Sequence, residues 1–347
     1  MADSEAKTGA VPARVDYGRD AVPDWIREVI ETGLAIERED ARSTGSLGFM
    51  TRALVSASMP YKDPKTKFFE RQNGDLTLTM LSPKGVPYGK YPRLLLSWLI
   101  TEAVTTRSPV VTLGDTLAEF LRATIGVEAT GGKRGTATRV SEQMERLFKS
   151  LISVDRRDQP DARSFSFENI TLVRGGTIDQ EDMRRLDSLD AIENTGDVAG
   201  QHLWRAADRT SEQGRWNSQV ELTPQFFREC IETPVPLDLR AYRALSPSPM
   251  AMDIYSWCTY RMSYIKRPTR PIPWPILQAQ FGSGFPFTEQ GTRDFKKAFK
   301  RNLDIVRLTY PDLRVDETSD RGGLILMPSK PHIPKLSRGS AEQKRLF

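Results

Sequence analysis

Histidine and cysteine are almost missing from this chain of 347 residues: His202 and His332 are its only histidines, Cys230 and Cys258 its only cysteines. Two cysteines build neither a disulfide framework nor a thiolate-rich metal site. A free cysteine packs as a small hydrophobe, so both are expected in the core. Two histidines so far apart cannot form the His-hydrophobic-His metal site of a DNA-nicking nuclease. Long apolar runs are missing too. The longest, near Leu94, is far too short to span a bilayer, and Met1-Ala2-Asp3-Ser4-Glu5 lacks a basic stretch with an apolar core behind it. A cytoplasmic protein with no membrane partner is expected.

Phosphate-cradling loops are lacking as well. Gly126-Val127-Glu128-Ala129-Thr130-Gly131-Gly132-Lys133-Arg134 has one residue too many before Lys133, and Arg134 replaces the Ser/Thr that would hold magnesium. Gly282-Ser283-Gly284 lacks the third glycine and the strand-to-helix setting of a dinucleotide loop. Acidic pairs such as Glu181-Asp182 read as solvated loop charge. No catalytic residue, metal or cofactor is expected, and hence neither ATP hydrolysis nor DNA cleavage. Charge is nearly balanced: 50 Lys and Arg against 45 Asp and Glu, with a pI near 9.1. That mild excess does not by itself indicate nucleic acid, so the placement of the cations has to decide.

What is present is a duplication. An apolar helix around Leu94-Leu95-Leu96-Ser97-Trp98-Leu99-Ile100 leads to extended Pro109-Val110-Val111-Thr112-Leu113, a short helix from Asp115 to Ile125, a Gly-rich loop and a long helix from about Thr136 to Ile152. Further on, Ile254-Tyr255-Ser256-Trp257-Cys258 leads to Pro271-Ile272-Pro273, a short helix near Pro275 to Phe281, a Gly/Pro loop and a long helix from about Thr288 to Leu308. Each stretch ends in β-rich sequence. That order suits a winged helix, and a repeat on this scale is informative about fold. The expected class is α+β, with two tandem winged-helix domains and small antiparallel hairpins.

Residues 1–60 read as an N-terminal extension, partly disordered with short helices, one of them starting at Pro23-Asp24. Domain 1 is expected over 61–212, opening on a hairpin whose Asn73-Gly74 suits a type I′ turn. The Asp-, Glu- and Gly-rich sequence from about Arg174 to Arg215 reads as a surface insertion or linker. Domain 2 is expected over 213–328, opening on a strand from Trp216 to Leu222 and a helix capped at Thr223-Pro224. Residues 329–347 read as a basic, flexible tail.

At about 100° per residue, Phe295, Phe299, Leu303 and Val306 share one face of the second long helix. Arg293, Lys296, Lys297, Lys300 and Arg307 lie opposite, with Asp304 among them. The first long helix turns Ala137, Val140, Met144, Leu147 and Leu151 inward, and Thr138, Arg139, Arg146 and Lys149 outward beside Glu142 and Glu145. Lys133 and Arg134 stand in the loop before it. A charged helix face is ordinarily just solvated. Here the same element is basic in both repeats, and a winged helix presents that element to the major groove. Thr138 precedes Arg139 and Thr292 precedes Arg293; arginine can donate two hydrogen bonds to guanine, and threonine can contact bases or phosphate. Wing strands are expected at Leu313-Arg314-Val315 and Leu324-Ile325-Leu326, around a turn whose Arg321 could reach a minor groove or phosphate. In the first repeat Ser164-Phe165-Ser166-Phe167 and Ile170-Thr171-Leu172-Val173 give weaker ones. The candidate DNA contacts are therefore Lys133, Arg134, Thr138, Arg139, Arg146, Lys149, Thr292, Arg293, Lys296, Lys297, Lys300 and Arg321.

Several blocks, in order, resemble the plasmid-encoded RepA family of replication initiators. They include Asn73-Gly74-Asp75-Leu76-Thr77-Leu78-Thr79-Met80, Pro92-Arg93-Leu94-Leu95-Leu96-Ser97-Trp98-Leu99, Leu113-Gly114-Asp115-Thr116-Leu117, Pro234-Val235-Pro236-Leu237-Asp238-Leu239-Arg240, Asp253-Ile254-Tyr255-Ser256-Trp257 and Arg293-Asp294-Phe295-Lys296. The resemblance implies an initiator that binds iteron repeats of double-stranded origin DNA, helps the host initiator open it and recruits the replicative helicase. It also implies a possible homodimer through domain 1 that represses its own promoter, so a dimeric transcriptional repressor is the alternative. None of this follows from helical angles. Separately, Gln343-Lys344-Arg345-Leu346-Phe347 resembles the Gln-x-x-Leu-Phe peptide that docks into the sliding clamp, which would make Gln343, Leu346 and Phe347 its contacts; Lys344 and Arg345 depart from the preferred pattern.

Overall fold

The computed structural model describes residues 22–56, 58–73, 76–113, 120–130, 132, 135–156, 166–177, 219–317 and 322–334. Two interior helices organise it. In α3 (Lys90–Thr106) every residue from Tyr91 to Ile100 is buried, and a helix covered all round belongs inside a core. In α7 (Pro249–Met262) Met250 to Met252 and Ile254 to Thr259 are buried likewise. Ser248 caps α7 by accepting from the Ala251 amide, and Pro249 fits the first turn, where no amide partner is needed.

Among the described residues, seven further helices stand around α3 and α7: α1 (Asp24–Arg38), α2 (Arg52–Ser56), α4 (Thr136–Phe148), α5 (Pro224–Glu232), α6 (Leu239–Ala244), α8 (Trp274–Phe281) and α9 (Glu289–Thr309). A π-helical segment, Phe120–Ile125, sets Phe120 edge-on to Trp98 of α3 at 4.7 Å. The described strands form four small antiparallel sheets. β1 (Leu47–Thr51) pairs with β9 (Pro234–Asp238), and β2 (Phe68–Asn73), β3 (Leu76–Leu81), β5 (Leu151–Arg156) and β6 (Ser166–Thr171) lie side by side in that order.

The other two sheets share a plan. Following α3, β4 (Val110–Thr112) pairs with β8 (Gln219–Leu222), which pairs with β7 (Val173–Thr177). Following α7, β10 (Ile272–Pro273) pairs with β12 (Gly323–Leu326), which pairs with β11 (Val315–Asp316). In both, the chain's first strand lies beside the third and the third beside the second. The repeat legible in the sequence is thus also a repeat of strand order.

Four expectations change. Residues 24–56 are part of the body: α1 packs on α9 and α6, and β1 pairs with β9. The first long helix ends at Phe148, because Leu151 onwards is taken up between β3 and β6; Leu151, expected inward, is 42% exposed. The strand Ser166–Thr171 belongs to the four-stranded sheet, and it is β8 that pairs with β7, so the boundary drawn at residue 212 separates two strands of one sheet. The tail, expected to be loose, is packed as far as Ile333, which is buried, and Tyr310 donates to the Lys330 carbonyl at 2.6 Å.

Candidate nucleic-acid interface

The helix α9 begins at Thr288, whose side chain accepts from the Gly291 amide at 3.1 Å. Its apolar face is the one the spacing marks: Phe295, Phe299, Leu303 and Val306 are all 0% exposed. Phe299 packs against Phe295, Phe281 and Trp274 at ring separations of 5.5 to 5.9 Å. With one side anchored, the opposite side faces solvent and carries Arg293, Lys296, Lys297 and Arg301, all exposed.

These cations are held to different degrees. Arg293, 72% exposed, makes one pair, with Glu289 at 3.2 Å, and exposed pairs of this spacing are weak. The Lys296 ammonium lies over the Trp274 ring at 5.1 Å, and that of Lys300 at 5.9 Å. Lys300 is half-buried and donates to the Glu317 carbonyl at 3.0 Å. Lys297 and Arg301 have no ion-pair partner among the described residues. Thr292 is half-buried and donates to Gln278 Oε1 at 2.7 Å. Arg307, grouped with the outward cations by angle alone, is 23% exposed and bound to Asp304, Glu317 and the Val315 carbonyl.

The helix α4 is different. Arg139 is exposed. Arg146 is 13% exposed, pairs with Glu142 at 2.6 Å and Asp63 at 3.4 Å, and lies over the Tyr88 ring at 5.2 Å. Lys149 pairs with Glu145 at 2.7 Å, a bond that draws the Glu145 carboxyl below its ordinary value. Thr138 donates to the Gly132 carbonyl at 2.8 Å. Helical angle put Arg146 outward, but it could not show that Asp63 and Tyr88 fold over it. Lys133, Arg134, Arg321, Gln343, Leu346 and Phe347 lie outside the described residues. Sequence reasoning passed over Arg301, whose position on the α9 face could have been read from the same angles.

Among the described residues no group of three or more His, Cys, Asp or Glu could hold a metal ion, and no helix is long and apolar enough to cross a membrane. Cys230 and Cys258 are both 0% exposed, and burial pushes the Cys258 thiol up to about 12.

A family model described as "Plasmid encoded RepA protein" matches residues 86–196 and 184–274, together more than half of the chain. No curated protein matches the sequence. Among solved structures, a crystal structure of domains 2 and 3 of RctB, as selenomethionine derivatives, is similar at 13% identity, with 81% of this chain and 97% of that one covered and a TM-score of 0.45. A second crystal structure of RctB domains 2–3 is similar at 14% identity, with 78% and 93% covered and a TM-score of 0.43.

Proposed function

The chain belongs to the plasmid-encoded RepA family of replication initiators, and from that premise we propose that it binds the iterons of its plasmid origin by laying α9 in the major groove. The observation that carries this reading is the exposed row Arg293, Lys296, Lys297 and Arg301 on a helix whose other side is locked by Phe295, Phe299 and Leu303. A reader of duplex DNA needs both: cations to neutralise phosphates, and a rigid seat that fixes which side chains meet the bases.

The domains are two winged helices. Support comes from the strand order shared by β4-β8-β7 and β10-β12-β11, each with its helices ahead of the last antiparallel pair. The second is the principal reader. In the first, Arg139 and the loop residues Lys133 and Arg134 contribute phosphate contacts, while Arg146 serves packing. The protein works without catalysis in the cytoplasm, opening the origin with the host initiator and recruiting the helicase. Gln343, Leu346 and Phe347 add a contact to the sliding clamp, which titration of the labelled peptide checks.

A second reading, a dimeric repressor of its own promoter, is favoured by one observation. Phe68, Leu81 and Leu151 are adjacent across β2, β3 and β5 and stand 52%, 48% and 42% exposed, an apolar row suited to a second copy. Footprinting on the DNA flanking the gene tests both. Regular direct repeats protected by wild type and lost in Arg293→Ala and Lys297→Ala fit the initiator; a single inverted repeat fits the repressor. Unchanged affinity in both variants removes α9 as the reader.

A further inference from the structure

The turn joining α8 to α9 carries a side chain that the reading above leaves unused. Phe287 is 69% exposed, the most exposed large apolar side chain among the described residues. A single exposed ring is ordinary in itself; its setting is what distinguishes it. The turn is braced on every side. Gln278, 0% exposed, donates to the Pro286 carbonyl at 2.9 Å and accepts from Thr292 on its other amide atom. The Thr288 amide donates to the same carbonyl at 2.9 Å, and Phe285 sits edge-on to Phe295 at 5.8 Å. Gly291 lies so close that a Cβ there would stand 2.0 Å from the Pro286 oxygen.

Phe287 thus leaves the surface from a fixed base. It lines an open pocket with Pro275, Thr288, Glu289, Thr292 and Arg293. The Thr292 hydroxyl is engaged by Gln278, so its methyl is what remains to meet a ligand. The pocket is apolar on the Phe287 and Pro275 side; at its other side Arg293 stands beside Glu289, an exposed 3.2 Å pair weak enough for a phosphate to take the carboxylate's place, and from Arg293 the cation row runs on to Lys297. A polyanion carrying a small apolar group fits this combination. In the major groove that group is the C5-methyl of thymine, the one apolar feature a base pair presents there. Resting on the proposal that α9 lies in the major groove, we infer that Phe287 and Thr292 read a thymine by its methyl group.

The test uses the full chain and a duplex carrying the protected repeat, with each thymine replaced in turn by 2′-deoxyuridine, which removes only the methyl. At one position wild type should lose about fourfold in affinity, the equivalent of ~0.8 kcal/mol for one buried methyl. Phe287→Ala should bind the unmodified duplex more weakly and be indifferent to deoxyuridine at that position, with a melting temperature equal to wild type. Phe287→Leu, which keeps an apolar surface, should stay sensitive. Wild type that fails to bind the unmodified duplex ends the major-groove reading and this inference with it. Wild type that binds but ignores every deoxyuridine, or Phe287→Ala that keeps the wild-type sensitivity, overturns the thymine contact alone.

Discussion

Arg93 and Asp253, 160 residues apart in the chain, face each other in a two-pronged pair: Nε to Oδ1 at 2.7 Å and Nη2 to Oδ2 at 2.8 Å. The pair joins the two interior helices, α3 and α7, and Arg93 also donates to the carbonyls of Met59, Pro60 and Gly89. Its side chain is 1% exposed, so its charge has no solvent to fall back on. Asp253→Ala should therefore cost about 3–5 kcal/mol by leaving a buried cation without a countercharge. Arg93→Met combined with Asp253→Leu should recover part of that loss, though the three carbonyls then lose their donor. Urea denaturation of wild type and the two variants measures the difference, and a double variant no better than the single one would contradict the account.

His332 supplies a pH dependence. It accepts or donates at Nδ1 with the Tyr255 hydroxyl at 2.8 Å and stacks on Tyr310 at 4.6 Å. Burial pushes its pKa down to about 4, with Arg240 acting in the same direction and Asp238, Asp312 and a hydrogen bond with the Thr309 backbone against it. Because the unfolded histidine takes a proton near 6.5 and the folded one resists until about 4, stability is fully present above pH 6.5 and drains away as pH falls toward 4. The total is up to about 3 kcal/mol. His332→Gln should flatten this slope. Equal pH dependence of the urea midpoint in wild type and variant would show that other groups govern acid sensitivity.

Gly33 tests the docking of α1. In isolation, glycine to alanine in a helix interior stabilises by up to about 1 kcal/mol. Here an added Cβ would lie 2.0 Å from the Leu308 carbonyl oxygen at the end of α9, and backbone cannot step aside as a side chain can. Gly33→Ala is expected to destabilise despite its better propensity, read as a lower melting temperature. A rise would mean that α1 can shift on α9 at little cost.

The fold was legible where periodicity decides it. The α9 core positions Phe295, Phe299, Leu303 and Val306 follow from angle alone, as do the buried runs of α3 and α7. The pairing of β2 with β3 and the Thr223 cap, which accepts from the Phe226 amide at 3.2 Å, follow from local chemistry; the turn expected at Asn73-Gly74 falls on Gly74, outside the described residues. Long-range pairing was hidden. Nothing local to Gln219–Leu222 says that it joins Val110–Thr112, or that Leu47–Thr51 joins Pro234–Asp238. For the candidate site, what could be read was exposure alone. Angle finds which side of a helix faces out, but not which cations a neighbour has claimed: Arg146 and Lys297 look alike in sequence, and only packing separates them.

That difference makes the sharpest prediction. A lysine that neutralises one phosphate should, when removed, weaken binding similarly on every DNA sequence and lower the slope of log affinity against log salt by about one. Lys297→Ala is expected to do this without altering stability, because Lys297 is exposed and has no ion-pair partner among the described residues. Arg146→Ala should do the reverse. Its guanidinium bridges Asp63 and Glu142 and covers Tyr88, so removal leaves both carboxylates without their shared cation and lowers the urea midpoint, while the salt slope of the surviving folded protein stays at the wild-type value. Fluorescence anisotropy on one duplex across a salt series, set beside urea melts of the same preparations, gives both readings. A reduced slope for Arg146→Ala would bring α4 back into the DNA interface. An unchanged slope for Lys297→Ala would take that lysine out of it.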